Sequence, residues 1–408
     1  MARILVLDGH SAAALAVTRS AGQSGHWVAV GGNRGLFAAT KLSRYCSVGF
    51  DYPVSTDDPD ALVDAIVEFV CARSIDLIIP ITDWTLGPIS VQRGRFAGLC
   101  RIAMPSQRAL DTVSDKYRTI KLAESFGIGI PRTDLVESAG DLSRWEENQF
   151  PVVVKDRFSV RWFRDTSTNK KAVFGSVAYA YSAPELANRV TERLRVARDV
   201  LIQEFVSGTG IGFSCFVVGG KVFLPFQWER IREVDPRGSA SSARKSVPLD
   251  QSLVSLSVRL ITEIGFEGIA MVEYKKAAGG RWILMEINGR PWGSVGLPIA
   301  CGIDYPRHLI EWYLHGTLPP QSISYRENIV CRRVVGELMH LSNLRAGPPL
   351  EQWPIAYPSF WTSLLTMAVP WLPGMCYDDV WLSDLRPGIA GIGNWFRSRR
   401  FRSRAEGK

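Results

Sequence analysis

Short apolar runs alternate with stretches of helical spacing through the first hundred residues, and that rhythm restricts the region to a parallel sheet with crossover helices. Residues 4–7, 27–30 and 76–80 read as buried strands. Residues 12–22, closed by Gly22 and Gly25, read as a helix, as do residues 60–72, where Leu62, Ile66, Phe69 and Val70 share a stripe. The first strand runs into Asp8-Gly9-His10-Ser11-Ala12 without GxGxxG spacing, which argues against a dinucleotide site.

The chain has 408 residues, 46% of them hydrophobic and 22% charged. That suffices for two or three packed units and excludes wholesale disorder. No uninterrupted apolar run reaches about 18 residues, so a spanning helix is not expected. The N-terminus opens on a strand-like run without a secretory layout, which makes the cytoplasm the expected compartment. Seven cysteines lie far apart with no CxxC pair, and five histidines do not cluster, so neither a zinc site nor a disulfide framework is expected. The formal net charge is +8, but five of those charges belong to the stretch from Arg397 onward. The nearly neutral body offers no phosphate-binding face, so nucleic acid is not an expected partner.

The middle of the chain changes character. Ser114-Asp115-Lys116 opens a helix through Phe126, closed by Gly127, Gly129 and Pro131. Phe150-Pro151-Val152-Val153-Val154-Lys155 is a β-branched strand with a lysine at its end. A polar stretch over 161–171 precedes a strand near 173–181 and a helix over 184–198. Residues 200–206 are strand-like and lead into Ser207-Gly208-Thr209-Gly210-Ile211-Gly212.

The most informative segment is 268–290. Residues 270–275 and 282–288 read as strands, with Gly279-Gly280 as a two-residue turn. Centring on that turn pairs 277 with 282 and sets Glu273 directly across from Glu286. Asn288 shares the face of Glu286, because side chains repeat every two residues. Facing carboxylates repel unless a cation lies between them. Two Glu and one Asn are hard oxygen donors suited to Mg²⁺. Arg290, on the same side, could hold a phosphate or serve as an ion-pair partner. A solvated face whose acids pair with nearby Lys or Arg is the competing reading.

Taken together, these residues resemble the ATP-grasp superfamily of carboxylate–amine ligases, and most closely the carbamoyl-phosphate-synthase-like ATP-dependent carboligases. Within that resemblance, Lys116 and Lys155 correspond to the two ATP-contacting lysines. Gln203, Glu204, Phe205 and Val206 fall in the hinge that cradles adenine. Glu273, Glu286 and Asn288 match the metal ligands, and Arg290 the arginine that stabilises the transferring phosphoryl group. Gly238 to Ser246 resembles the acceptor-side loop, with Arg244 as a candidate carboxylate clamp or the cation of a solvated turn. Ile81-Thr82-Asp83-Trp84 is a candidate wall of the substrate cleft.

The resemblance implies an α/β protein in three parts: an N-terminal Rossmann-like domain (1–112), an ATP-grasp domain (113–318, small subdomain about 150–206) and a C-terminal extension (319–408). It implies ATP and Mg²⁺, with Mn²⁺ as a substitute, and small carboxylate and amine substrates. The alternatives it leaves open are non-ligase phosphoryl transfer and a catalytically decayed nucleotide-binding scaffold at a membrane. Two departures stand out. No acid follows the hinge to hold the ribose, unless Glu204 serves. The loop after Lys155 lacks phosphate-wrapping glycines, leaving Arg157 and Arg161 as its charges.

Beyond about 318 the chain is rich in Pro, Trp and Arg. Residues 352–377 contain no charge, and prolines 354, 358, 370 and 373 interrupt them. Trp395-Phe396-Arg397-Ser398-Arg399-Arg400-Phe401-Arg402 alternates aromatics with cations. Such a segment is a candidate for peripheral contact with an anionic membrane, where each cation contributes about 1 kcal/mol. A lid packed on the grasp domain is the other reading.

Overall fold

The computed structural model describes residues 1–54, 58–138, 142, 145, 149–162, 172–175, 177–348, 356–369 and 373–405. Its N-terminal part is the expected parallel sheet. Strands β1 (Arg3–Val6), β2 (Trp27–Asn33), β3 (Val48–Tyr52), β4 (Leu77–Ile79) and β5 (Arg101–Ile102) lie in the order β3-β2-β1-β4-β5, every pair parallel. Helices α1 (Ala12–Gln23), α2 (Pro59–Arg73) and α3 (Asp83–Val91) begin at Ser11, Asp58 and Thr82, whose side chains accept first-turn N–H groups that have no helical partner.

Asp8, just past β1, sits in the turn where the sequence has no GxGxxG spacing. The carboxylate is buried on left-handed backbone (φ 56°). It accepts hydrogen bonds from Ile81 N (3.3 Å), Thr82 N (2.8 Å), Thr85 Oγ1 (2.7 Å) and the Tyr52 hydroxyl (3.1 Å). A buried carboxylate must be fully bonded to persist, and these bonds fix the turn from β4 into α3. That turn delivers Asp83 to the site.

Next come α4 (Gln107–Ser114), absent from the sequence expectations, and α5 (Lys116–Ser125), capped by Asp115. Then follow β6 (Thr133–Val136), β7 (Val152–Asp156), β8 (Val160–Trp162), β9 (Ala172–Phe174), β10 (Val177–Ala180), α6 (Ala183–Leu194) and β11 (Val200–Glu204). Four of these strands form a small antiparallel sheet, β10-β7-β11-β6, while β8 and β9 pair separately. The single strand expected over 173–181 is thus two. Gly175 breaks it, its amide donating to the Ser159 carbonyl (2.8 Å).

The large sheet follows: β12 (Thr209–Val218), β13 (Lys221–Glu233), β14 (Ser241–Val247), α7 (Gln251–Ile264), β15 (Gly268–Lys276), β16 (Trp282–Asn288), α8 (Gly296–Cys301) and α9 (Tyr305–His315). Beyond residue 318 come β17 (Val330–Arg332), α10 (Val334–Ala346), α11 (Phe360–Ala368), β18 (Met375–Tyr377) and α12 (Arg386–Ala405). The sheet order is β16-β15-β12-β13-β14-β17-β18, so the extension completes it.

Alternate residues of β1 face two separate cores. Leu5 and Leu7 join Leu62, Ile66 and Ile78, in a cluster that continues to Phe213 and Val272 of the large sheet. Ile4 and Val6 join Val17 and Val28, in a cluster that reaches Phe216 and Met271. The small sheet keeps its own core of Val136, Val152, Val154, Leu186 and Val190. N-terminal and large sheets therefore share buried surface, and the small sheet is the separate body.

Candidate active site

The hairpin β15–β16 does place Glu273 opposite Glu286, but by a different route from the one expected. Pairing starts at Lys276 with Trp282 and runs through Tyr274 with Leu284. The loop is therefore the three residues 278–280, centred on Gly279 (φ 76°), and not a two-residue turn. That shifts the register by one residue. A bulge between Glu273 and Tyr274 in the pairing shifts it back, restoring Glu273 with Glu286, Val272 with Ile287 and Met271 with Asn288. The Asn288 amide donates to Glu286 Oε1 (3.0 Å), which leaves its carbonyl oxygen as the atom to meet a cation.

Around this pair lie four cations, three of them expected. Lys116 heads α5 and donates to Ser159 Oγ (3.0 Å). Lys155 is the penultimate residue of β7 and is buried. Burial, then Lys116, lowers its pKa to about 8, against the opposing pull of Glu286 and Glu273. Arg290 grips Asp83 with two hydrogen bonds, Nε to Oδ1 (3.1 Å) and Nη2 to Oδ2 (2.9 Å). Burial works against ionised Glu286, yet Lys116, the Asn288 hydrogen bond, Lys155 and Arg290 together hold its pKa below the usual carboxylate range. Glu273 moves the other way, raised by burial and by Glu286 despite Arg230. The geometry favours Glu286 as the charged partner of the two, since more cations face it.

Arg230, the fourth cation, was not legible as a site residue. It sits on β13 and reaches across β12 to bond Glu273, while its Nη1 donates to Glu233 Oε1 (2.7 Å) and the Ser239 carbonyl (2.6 Å). The crossing requires a bare backbone beneath it: a Cβ on Gly210 would lie 2.6 Å from Arg230 Cδ. One step along, a Cβ on Gly212 would lie 2.1 Å from the Trp228 ring. The signal was in the sequence, as two glycines inside a strand pattern, which mark close approach of another group.

Of the hinge residues, Gln203 and Glu204 end β11, and Phe205 and Val206 follow it. Gln203 is buried and donates to Thr133 Oγ1 (2.8 Å), Glu204 is exposed, and Phe205 meets Tyr179 edge-on (6.1 Å between centroids). The Val206 carbonyl accepts from Lys275 Nζ (2.7 Å). Because Lys275 follows Glu273 by two on β15, this bond ties the hinge to the strand carrying the acids. A cavity of about 700 Å³ opens beside Glu286, lined by Asp83, Lys116, Glu286, Asn288 and Arg290 among others, whereas Lys155, Glu273 and the hinge residues Gln203–Val206 are not part of its lining. The expected cleft wall is thus present in Asp83.

Two expectations require correction. Arg244 is fully buried, with Nη2 2.5 Å from Asp378 Oδ1 and 3.6 Å from Cys331 Sγ. It clamps a carboxylate of the extension and does not line the cavity beside Glu286, β14 lying inside the sheet between β13 and β17. Arg157 lines the cavity, but its charge is already partnered. It pairs with Asp115 (2.6 Å) and Asp199 (3.3 Å), tying α5 to the small sheet. The Arg161 side chain lies outside the described residues, as does Phe163.

The acid pair fits a divalent ion. Its donors are hard oxygens, its carboxylates repel across one strand pair, and two carboxylates leave positions for phosphate oxygens. Among the described residues no group of three or more His, Cys, Asp or Glu could hold a metal alone, so any ion here needs such additional ligands.

Residues 197–334 match the family described as ATP-grasp in the biosynthetic pathway with Ter operon. A probable alpha-L-glutamate ligase of Thioalkalivibrio sulfidiphilus is 24% identical over 219 residues, 52% of this chain and 66% of that protein. A D-alanine--D-alanine ligase of Pseudomonas putida is 26% identical over 43% of this chain and 54% of its own length. The matched region thus spans about two thirds or less of these relatives. Among solved structures, N5-carboxyaminoimidazole synthetase of Staphylococcus aureus complexed with ADP superposes with a TM-score of 0.61 at 15% identity, covering 85% of this chain and 86% of that one. An L-amino acid ligase of Bacillus licheniformis gives 0.56 at 14% identity, over 77% and 74%.

Proposed function

Starting from the ATP-grasp fold of this chain, we propose that it is an ATP- and Mg²⁺-dependent ligase that activates a small carboxylate as an acyl phosphate and joins it to an amine. The observation that carries this reading is the cavity where Glu286 and Asn288 meet Lys116 and Arg290, with Glu273 paired to Glu286 across the hairpin and Lys155 within electrostatic reach of it. ATP-grasp relatives include proteins named as glutamate and D-alanine ligases, which fits the class. The C-terminal extension stands outside the catalytic apparatus.

A carboxylate is a poor electrophile. Its oxygen attacks the γ-phosphorus, ADP leaves, and the amine nitrogen then attacks the acyl carbon, loses a proton and expels phosphate. Lys116 and Lys155 would neutralise the phosphates during the first step. Arg290, held in orientation by both oxygens of Asp83, would meet the charge developing on the transferring group. A divalent ion bound by Glu273, Glu286 and Asn288 supplies further charge neutralisation and alignment of phosphate oxygens. The hinge from Gln203 to Val206 would receive adenine.

Phosphate release from ATP, measured with pools of carboxylic and amino acids and with products followed by mass spectrometry, tests the reading. Release that requires both a carboxylate and an amine, with a condensed product, is expected. Phosphorylated product without condensation would assign a different phosphoryl acceptor.

A further inference from the structure

The extension carries a band of large apolar side chains, exposed at Leu385, Ile389 and Phe396 and half-buried at Ile392. Leu385, Ile389, Ile392 and Phe396 recur at spacings of four, three and four, which is one helical face of α12 and its entry. Ile389 is 64% exposed and Phe396 52%. On α11, Trp361 and Leu365, one turn apart, are 70% and 71% exposed. Both helices rest on α10. The start of α12 is seated firmly: Pro387 and Gly388 are buried, and a Cβ on Gly388 would lie 2.6 Å from the Asp379 carbonyl oxygen. Single exposed apolar residues are ordinary on a protein surface, whereas a stripe of them marks a contact.

Cations follow the stripe directly. Arg397 and Arg399 are exposed, with Arg399 over the Trp395 ring (5.2 Å). Arg400, Arg402 and Arg404 succeed them before Glu406, the first acid after Asp384. No helix is long and apolar enough, among the described residues, to cross a membrane. A partner that matches both features offers an anionic surface with an apolar layer beneath it.

We propose that α12 lies in the interface of an anionic lipid bilayer, its Leu385–Phe396 stripe facing the acyl region and its arginines on the lipid phosphates, with Trp361 of α11 as a second anchor. Charge complementarity selects this occupant. Five of the chain's eight net charges sit in this segment, and a nucleic acid would match the charge but leave the apolar stripe in water. This placement does not depend on the ligase reading.

Flotation of the full chain with vesicles of phosphatidylcholine and phosphatidylglycerol, beside pure phosphatidylcholine, tests it. The wild type is expected to float at least fivefold more with the anionic vesicles and to be released in high salt. Ile389→Glu with Phe396→Glu should abolish flotation while leaving the melting temperature and phosphate release unchanged, and Arg397→Gln with Arg399→Gln should reduce it. Equal flotation with both vesicle types, no effect of Ile389→Glu with Phe396→Glu, or dimers by light scattering without vesicle binding would each overturn the proposal, the last by assigning the stripe to a second copy.

Discussion

Lys155 shows how one residue's surroundings decide its chemistry. Its ammonium is buried beside Lys116, and its pKa is brought down to about 8, burial being the larger cause. The charge that would hold a phosphate is present below that pH and lost above it. Nucleotide affinity should therefore fall about tenfold between pH 7 and 9.5, the equivalent of one charge-assisted hydrogen bond. Lys155→Met should be weak at pH 7 and flat across the range. Titration of a fluorescent ATP analogue at four pH values measures both, and a flat wild-type profile would contradict the assignment. The sequence singled out Lys116, Lys155, Glu273, Glu286, Asn288 and Arg290 because their types are chemically restrictive. What stayed illegible was who pairs with whom. Arg290 meets Asp83 from 207 positions away and Arg244 meets Asp378 from 134 away, contacts that no local pattern encodes.

At the scale of elements, the acid hairpin was read correctly through two offsetting differences. A three-residue loop moved the register and a bulge moved it back, so Glu273 still faces Glu286. Neither is predictable from alternation alone, because a bulge inserts a residue without changing composition. Strand β12 carries the clearest element-scale constraint. Gly212 lies under the buried Trp228 ring, where an added methyl group would overlap a rigid aromatic. Gly212→Ala should lower the stability of the fold by about 1–3 kcal/mol, read as a shifted midpoint in urea. An unchanged midpoint would mean that Trp228 repacks freely. Strand β3 was missed because only Tyr52 in Val48–Tyr52 is fully buried, and Gly49 breaks the pattern.

Across the whole molecule, the N-terminal sheet was legible because its βαβ rhythm is local. The docking of the extension was not, since it rests on buried polar contacts between chain ends. Asp384 accepts from Arg19 Nε (2.9 Å), Ser43 Oγ (2.7 Å) and the Arg44 amide (2.9 Å), and Trp381 covers the Arg19 guanidinium (4.5 Å). With Arg244–Asp378, this network ties the extension to both the N-terminal part and the large sheet. The proposed activity has one central requirement, a divalent ion bound by Glu286 and its neighbours together with nucleotide phosphates. Electron paramagnetic resonance of Mn²⁺, titrated with and without a non-hydrolysable ATP analogue, addresses it directly. The wild type should bind Mn²⁺ tightly only when nucleotide is present, and Glu286→Gln should lose roughly tenfold or more of that affinity. Unaltered Mn²⁺ affinity in Glu286→Gln would contradict the account.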